Sequence, residues 1–164
     1  MLFRSGIVDF VELAKRMPEY KFVWFGYSPL SAATYEVRKA VNTKLDNLLF
    51  AGYVEQSVIK DAMNGCDIYL FPTYEETEGI PIIEACACKT TAIIRDIPVF
   101  DGWLEDGINV YKAKDIEGFE EKIKEVINGK LPSLGEEAYK VVLSRDIKKI
   151  GEKLKKVYEE VMEK

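Results

Sequence analysis

The chain has 164 residues, of which 48% are hydrophobic and 12% aromatic, with 23 Lys and Arg against 28 Asp and Glu, three Cys and no His. That is enough apolar material for one buried core and too much for a disordered chain. The net charge of −5 excludes the basic surplus of a nucleic-acid binder. The missing histidine excludes Ser-His-Asp or Cys-His catalysis within the chain, an imidazole metal ligand and His acid–base chemistry.

Cys66, Cys86 and Cys88 fall short of the four ligands of a thiolate zinc site. They read as reduced, mostly buried residues of a cytosolic protein. No stretch approaches the ~20 apolar residues that cross a bilayer, and no signal-peptide pattern opens the chain. A soluble cytoplasmic protein is expected, with a peripheral membrane contact left open.

In chain order, Ile7, Phe10, Val11 and Ala14 stand at helical spacing in a run that Pro18 ends. Phe22-Val23-Trp24-Phe25, closed by Gly26, reads as a strand buried on both faces. A weaker helix over 30–42 follows. Leu48-Leu49-Phe50-Ala51 and Gly52 repeat the strand–glycine pattern, and 54–65 is helical again. Ile68 to Phe71, stopped by Pro72, is a third strand. A polar loop leads into a helix near Pro81, a residue favoured at helix starts because its missing N–H would have no partner there. Residues 90–95 form a fourth strand and 109–111 a short fifth; helices are expected over 115–128, 133–143 and 147–163. In the last of these, Ile147, Ile150, Leu154, Val157 and Val161 form one apolar stripe.

This alternation predicts an α/β domain with a parallel sheet flanked by helices on both faces. The opening helix is unusual for such a fold, so a first strand is expected to be missing. The last helix has two readings: its stripe packs on the domain, the preferred one, or it lies on anionic lipid through its lysines.

Ligands of open parallel sheets bind beyond the carboxyl ends of the strands. The turns at Gly26-Tyr27-Ser28 and Gly52-Tyr53 allow close backbone approach there. The loop Pro72 to Gly79 carries Glu75, Glu76 and Glu78, and Glu84 follows in the helix. Glu75 and Glu78 read as solvated charges at a helix start. Glu84 stands among Ile82, Ile83, Ala85, Cys86, Ala87 and Cys88, where a carboxylate without a partner is expensive to bury. A vicinal diol of a ribose or sugar is such a partner. The amides of Gly79 and Ile80 form an anion site suited to a diphosphate.

Glu76 and Glu84 have seven residues between them, in the frame E-T-E-G-I-P-I-I-E-A. This resembles the Glu-x7-Glu signature of group 1 nucleotide-sugar glycosyltransferases, retaining enzymes built of two facing Rossmann-like halves (the GT-B architecture). Phe22 to Gly26, Phe50-Ala51-Gly52 and Asp67 to Pro72 resemble the strands of the family's donor half. Asp106-Gly107-Ile108-Asn109-Val110 stands where the family has Asp-Gly-x-Asn-Gly, with Val110 departing from the last glycine. The stretches FVELAKRMPEYKFVWFGY, FPTYEETEGIPIIEA and RDIPVFDGWLEDGINVY are similar to bacterial glycolipid synthases that glucosylate or galactosylate diacylglycerol.

The resemblance implies that residues 6–164 are the C-terminal, donor-binding half of a hexosyltransferase, its acceptor half lying outside this chain. Glu84 would hold the donor ribose, Glu76 the transferred sugar, and the Gly79 and Ile80 amides the diphosphate. Gly26 and Gly52 would border the nucleotide, Tyr53 and Val54 the base, Thr73 and Tyr74 the sugar. The donor would be a nucleotide sugar, UDP-glucose or UDP-galactose. With no Asp-x-Asp motif, neither a metal nor another cofactor is required. Where the family pattern resembles Arg-Lys-Gly, this chain has Arg4-Ser5-Gly6. Residues 1–5 (MLFRS) read either as a non-native lead or as the start of a truncated domain. A donor-binding module without catalytic activity is the alternative function. A sugar-nucleotide epimerase fits less well, because related epimerases depend on histidines near the phosphates.

Overall fold

The computed structural model describes residues 4–27 and 29–162. Met1 to Phe3 of the lead, Ser28 of the turn after the first strand and Glu163 of the last helix lie outside the described residues.

Among the described residues five strands and seven α-helices follow in the order α1 (Ile7–Arg16), β1 (Phe22–Phe25), α2 (Tyr35–Val41), β2 (Leu48–Gly52), α3 (Gln56–Gly65), β3 (Tyr69–Phe71), α4 (Ile80–Ala87), β4 (Ala92–Arg95), β5 (Tyr111–Ala113), α5 (Ile116–Ile127), α6 (Gly135–Val142) and α7 (Ile147–Met162). The helix expected over 30–42 is broken into a 3₁₀ turn at Leu30–Ala32 and α2. Ala33 is extended there, and the Thr34 hydroxyl caps α2 by accepting from the Val37 amide at 3.4 Å.

Among the described residues all strand pairs are parallel, and they form two sheets rather than one: β1–β2 and β3–β4–β5. β4 carries the core. Ile93 points to a cluster with Phe10, Leu13 and Ala14 of α1, Phe22 of β1, and Phe119 and Ile123 of α5. Its neighbours Ala92 and Ile94 point the other way, to Met63 of α3, Ile82, Ala85 and Cys86 of α4, and Ala138 and Val142 of α6. Helices therefore cover both faces, as expected, with period-2 alternation along a fully buried strand.

Three expectations are corrected. β1 and β2 are not buried on both faces, since Val23 is 43% and Leu49 58% exposed. α3 packs Met63 and Ile59 against the β4 cluster instead of covering them. Cys66 is exposed at the C-terminal cap of α3, Cys86 is buried and Cys88 intermediate, and all three are free thiols; burial pushes the Cys86 thiol up to about 12. Finally, α7 does not lay its stripe on the domain. It has no buried residue, and Ile147, Ile150, Leu154, Val157 and Val161 are all exposed.

The start of α1 depends on glycine. Gly6 has φ 76°, and a Cβ there would meet the Pro72 carbonyl oxygen at 2.1 Å. Only a residue without a side chain lets this helix begin against the loop that follows β3.

Candidate functional site

The predicted residues follow the carboxyl ends of β1, β2 and β3. Gly26 and Gly52 adopt left-handed φ values of 114° and 68°, and the Gly26 amide donates to the Gly52 carbonyl at 2.8 Å. Nothing lies within 4 Å of where a Cβ would stand on either glycine. These turns therefore present bare backbone to open space. Beside them Tyr53 is 85% exposed and Val54 half-buried.

Beyond β3 the chain runs through Pro72 to Gly79 and enters α4 with Gly79 as a left-handed cap. A Cβ on Gly79 would stand 2.9 Å from Ile82 Cγ2 and 3.0 Å from Phe100 Cε1, so the turn is packed for glycine. The Ile82 and Ile83 amides both donate to the Gly79 carbonyl, at 3.0 and 3.2 Å. Pro81 has no N–H. Among the described residues this leaves the Gly79 and Ile80 amides without an internal acceptor at the positive end of the helix dipole. Such an end can receive an anion.

The glutamates divide as their positions suggested. Glu75 and Glu78 are exposed, whereas Glu76 and Glu84 are half-buried. Glu76 Oε1 accepts from the Thr77 amide at 2.9 Å, which fixes the carboxylate against its own loop. Glu84 Oε1 lies 3.5 Å from Gln56 Nε2, at the start of α3. Both carboxylates act electrically on Tyr69 of β3. Burial first, then the charge of Glu84 and, more weakly, that of Glu76, hold its hydroxyl far above the ordinary phenol range. The two signature carboxylates thus lie within electrostatic reach of one ring.

Thr73 and Tyr74 occupy different settings. Thr73 is 2% exposed, and its hydroxyl lies 3.0 Å from the Arg4 carbonyl and 3.1 Å from that of Glu75, so it shapes the loop from inside. Tyr74 is 44% exposed. Its amide donates to the Arg4 carbonyl at 2.6 Å, and its hydroxyl to Asp9 Oδ2 at 2.6 Å. Burial, followed by the hydrogen bond and charge of Asp9, raises this hydroxyl above the ordinary phenol range. Asp9 also accepts from Arg95 Nη2, forming an ion pair in which both residues are buried. The Arg4 guanidinium stays on the surface, 3.8 Å from Glu75.

Gln56, Asp9 and Arg95 are the site-forming residues that sequence reasoning missed. A signal existed for one of them: Arg95 ends an otherwise apolar strand, where a buried charge calls for a partner. Asp9 stands on the Glu12 and Arg16 side of the helical period, away from the Ile7, Phe10, Val11 and Ala14 stripe, and is buried only in the folded chain. Gln56 carried no such mark. Among the described residues no group of three or more carboxylates or thiols could hold a metal ion.

The family model described as "Glycosyl transferases group 1" matches residues 3–141. The chain belongs to the group 1 glycosyltransferases. It is 43% identical over 159 residues to the processive diacylglycerol alpha-glucosyltransferase of Acholeplasma laidlawii, a match covering 97% of this chain and 48% of that protein. The chain thus spans about half the length of this relative. Sucrose-phosphate synthase from Thermosynechococcus elongatus superposes with a TM-score of 0.82 at 17% identity, over 97% of this chain and 43% of that one. Anabaena HepE, solved in complex with UDP-glucose, superposes with a TM-score of 0.76 at 18% identity, over 93% of this chain and 46% of that one. These likenesses establish the fold as the Rossmann-like α/β half of a GT-B glycosyltransferase.

Proposed function

We propose that this glycosyltransferase domain binds the nucleotide-sugar donor of a retaining hexosyltransferase, UDP-glucose or UDP-galactose, whose acceptor is diacylglycerol or a glycolipid. One observation carries the reading: two half-buried glutamates, Glu76 and Glu84, flank a helix start whose Gly79 and Ile80 amides have no internal acceptor among the described residues. Glu84 takes the ribose diol and Glu76 the transferred sugar. The amides and the α4 dipole take the diphosphate and stabilise it as it leaves. Bare backbone at Gly26 and Gly52 admits the nucleotide beside Tyr53 and Val54, and Tyr74 borders the sugar. This arrangement neutralises the leaving group without a metal; activity lost on chelation and restored by manganese would overturn that part.

Transfer needs an acceptor-binding half, because the reaction is placed in a cleft between two halves. The domain by itself therefore binds donor without turnover. Titration calorimetry of this chain with UDP tests the reading. Glu84→Ala should weaken UDP binding about 10- to 100-fold, the range for a lost hydrogen bond to a charged group, about 1.5–3 kcal/mol. Unchanged affinity would remove Glu84 from the ribose.

A peripheral membrane contact at the inner face of the cell membrane is a second reading, favoured by α7. No helix among the described residues is long and apolar enough to cross a membrane. The exposed stripe of α7 has Lys148 and Lys155 along one border and Lys153 along the other, the pattern of a helix lying in a lipid interface. Flotation with anionic liposomes, with and without residues 147–164, tests it. Equal flotation would reject the contact.

A further inference from the structure

Three segments distant in sequence converge on the Arg95 guanidinium at the end of β4. Its Nε donates to the Pro72 carbonyl at 3.1 Å, its Nη1 to the Lys114 carbonyl at 2.6 Å, and its Nη2 to Asp9 of α1. All three nitrogens are engaged and the residue is 5% exposed, which makes this cation an organiser of the rim rather than a surface ligand for the diphosphate. The Tyr74 ring lies against it, 3.9 Å from centroid to guanidinium carbon, with the Phe119 ring 5.5 Å away. Tyr74 is thereby held at two points. Its ring stacks on the cation and its hydroxyl donates to the carboxylate that the cation pairs with. No other residue of the loop between β3 and α4 reaches the scaffold by two side-chain contacts of this kind among those described.

We propose that Asp9 and Arg95 are positioning residues for the donor loop: acting through Tyr74, they fix the orientation of residues 73–78 and so the part of the site that receives the transferred sugar. This rests on the donor-binding reading above. The base and ribose contacts assigned to Gly52, Tyr53, Val54 and Glu84 lie on other elements, and the Gly79 amide assigned to the diphosphate belongs to the cap of α4, which is packed against Ile82 and Phe100. A loosened loop should therefore harm the sugar end of the ligand and spare the nucleotide end.

The test uses this chain, with UDP and UDP-glucose as separate probes in calorimetry, and amide hydrogen exchange of residues 73–78. Asp9→Asn keeps the shape of the side chain and removes the charge that faces Arg95. It should lower UDP-glucose affinity about five- to tenfold, the size of one lost polar interaction, leave UDP within about twofold, and speed exchange in the loop. Combined with Tyr74→Phe it should cost little beyond the single change, because both act along one path. A merely structural pair would shift both ligands alike, or neither, and the two substitutions would add; either result overturns the proposal. If Asp9→Asn fails to fold, Tyr74→Phe, which leaves the Asp9–Arg95 pair in place, decides through loop exchange: unchanged exchange overturns the proposal, faster exchange supports it. If the unmodified chain binds neither probe, the donor-binding reading fails, and the same exchange measurement still judges the clamp.

Discussion

Asn47 illustrates how a single side chain secures the turn between a helix and a strand. It stands just before β2, and its amide nitrogen lies 2.8 Å from the Ala14 carbonyl, 3.1 Å from that of Met17 and 3.0 Å from that of Tyr20. These carbonyls belong to the end of α1 and the approach to β1, where a helix leaves acceptors without internal partners. Asn47→Ala should therefore lower stability by about 2 kcal/mol in urea denaturation, the cost of leaving such groups unsatisfied; a change below about 0.5 kcal/mol would show that water replaces the amide. At this scale, legibility depended on whether a residue's partner was near it in sequence. Glu76 and Glu84 could be singled out because their type, spacing and apolar surroundings lie within one short stretch. Asp9 and Arg95 meet across 86 residues, so their pairing appears only once the chain is folded.

At the scale of elements, apolar runs closed by glycine placed β1 and β2 correctly, and Pro72 stopped β3. β5 was expected over 109–111 and lies at Tyr111–Ala113. The difference has a local cause: Asn109 Oδ1 accepts from the Glu105 amide at 2.8 Å, and the Gly107 amide donates to the Val110 carbonyl at 2.8 Å, which ties 105–110 into a turn. Extended backbone begins only after that knot. α7 shows another boundary of sequence reasoning. An amphipathic period states that a face will be covered but not by what, and here the domain does not cover it. Removing residues 147–164 should consequently move the thermal midpoint by less than about 2 °C. A larger drop, read by circular dichroism, would mean that the stripe packs on this domain in solution.

At the scale of the whole molecule, the strand–helix alternation disclosed the parallel arrangement, the two helical layers and the rim on which the glutamates gather. It did not disclose that the described strands form two separate sheets, because hydrogen bonding between strands leaves no trace in hydrophobic period. The division matters for how the domain opens. β4 is paired on both sides and buried along its whole length, while β1 and β2 have one ladder between them and half-exposed faces. Protection need not be uniform in such a body. The amides of β4 should exchange last, near the global unfolding rate, and those of β1 and β2 earlier through sub-global opening; equal protection in both sheets, measured by native-state exchange, would contradict this. Gly26 and Gly52 sit on the looser sheet, and the Glu76 loop and α4 beside the firmer one. The two glycine turns can therefore open while the core stays folded, whereas the start of α4 is anchored to the strands that open last.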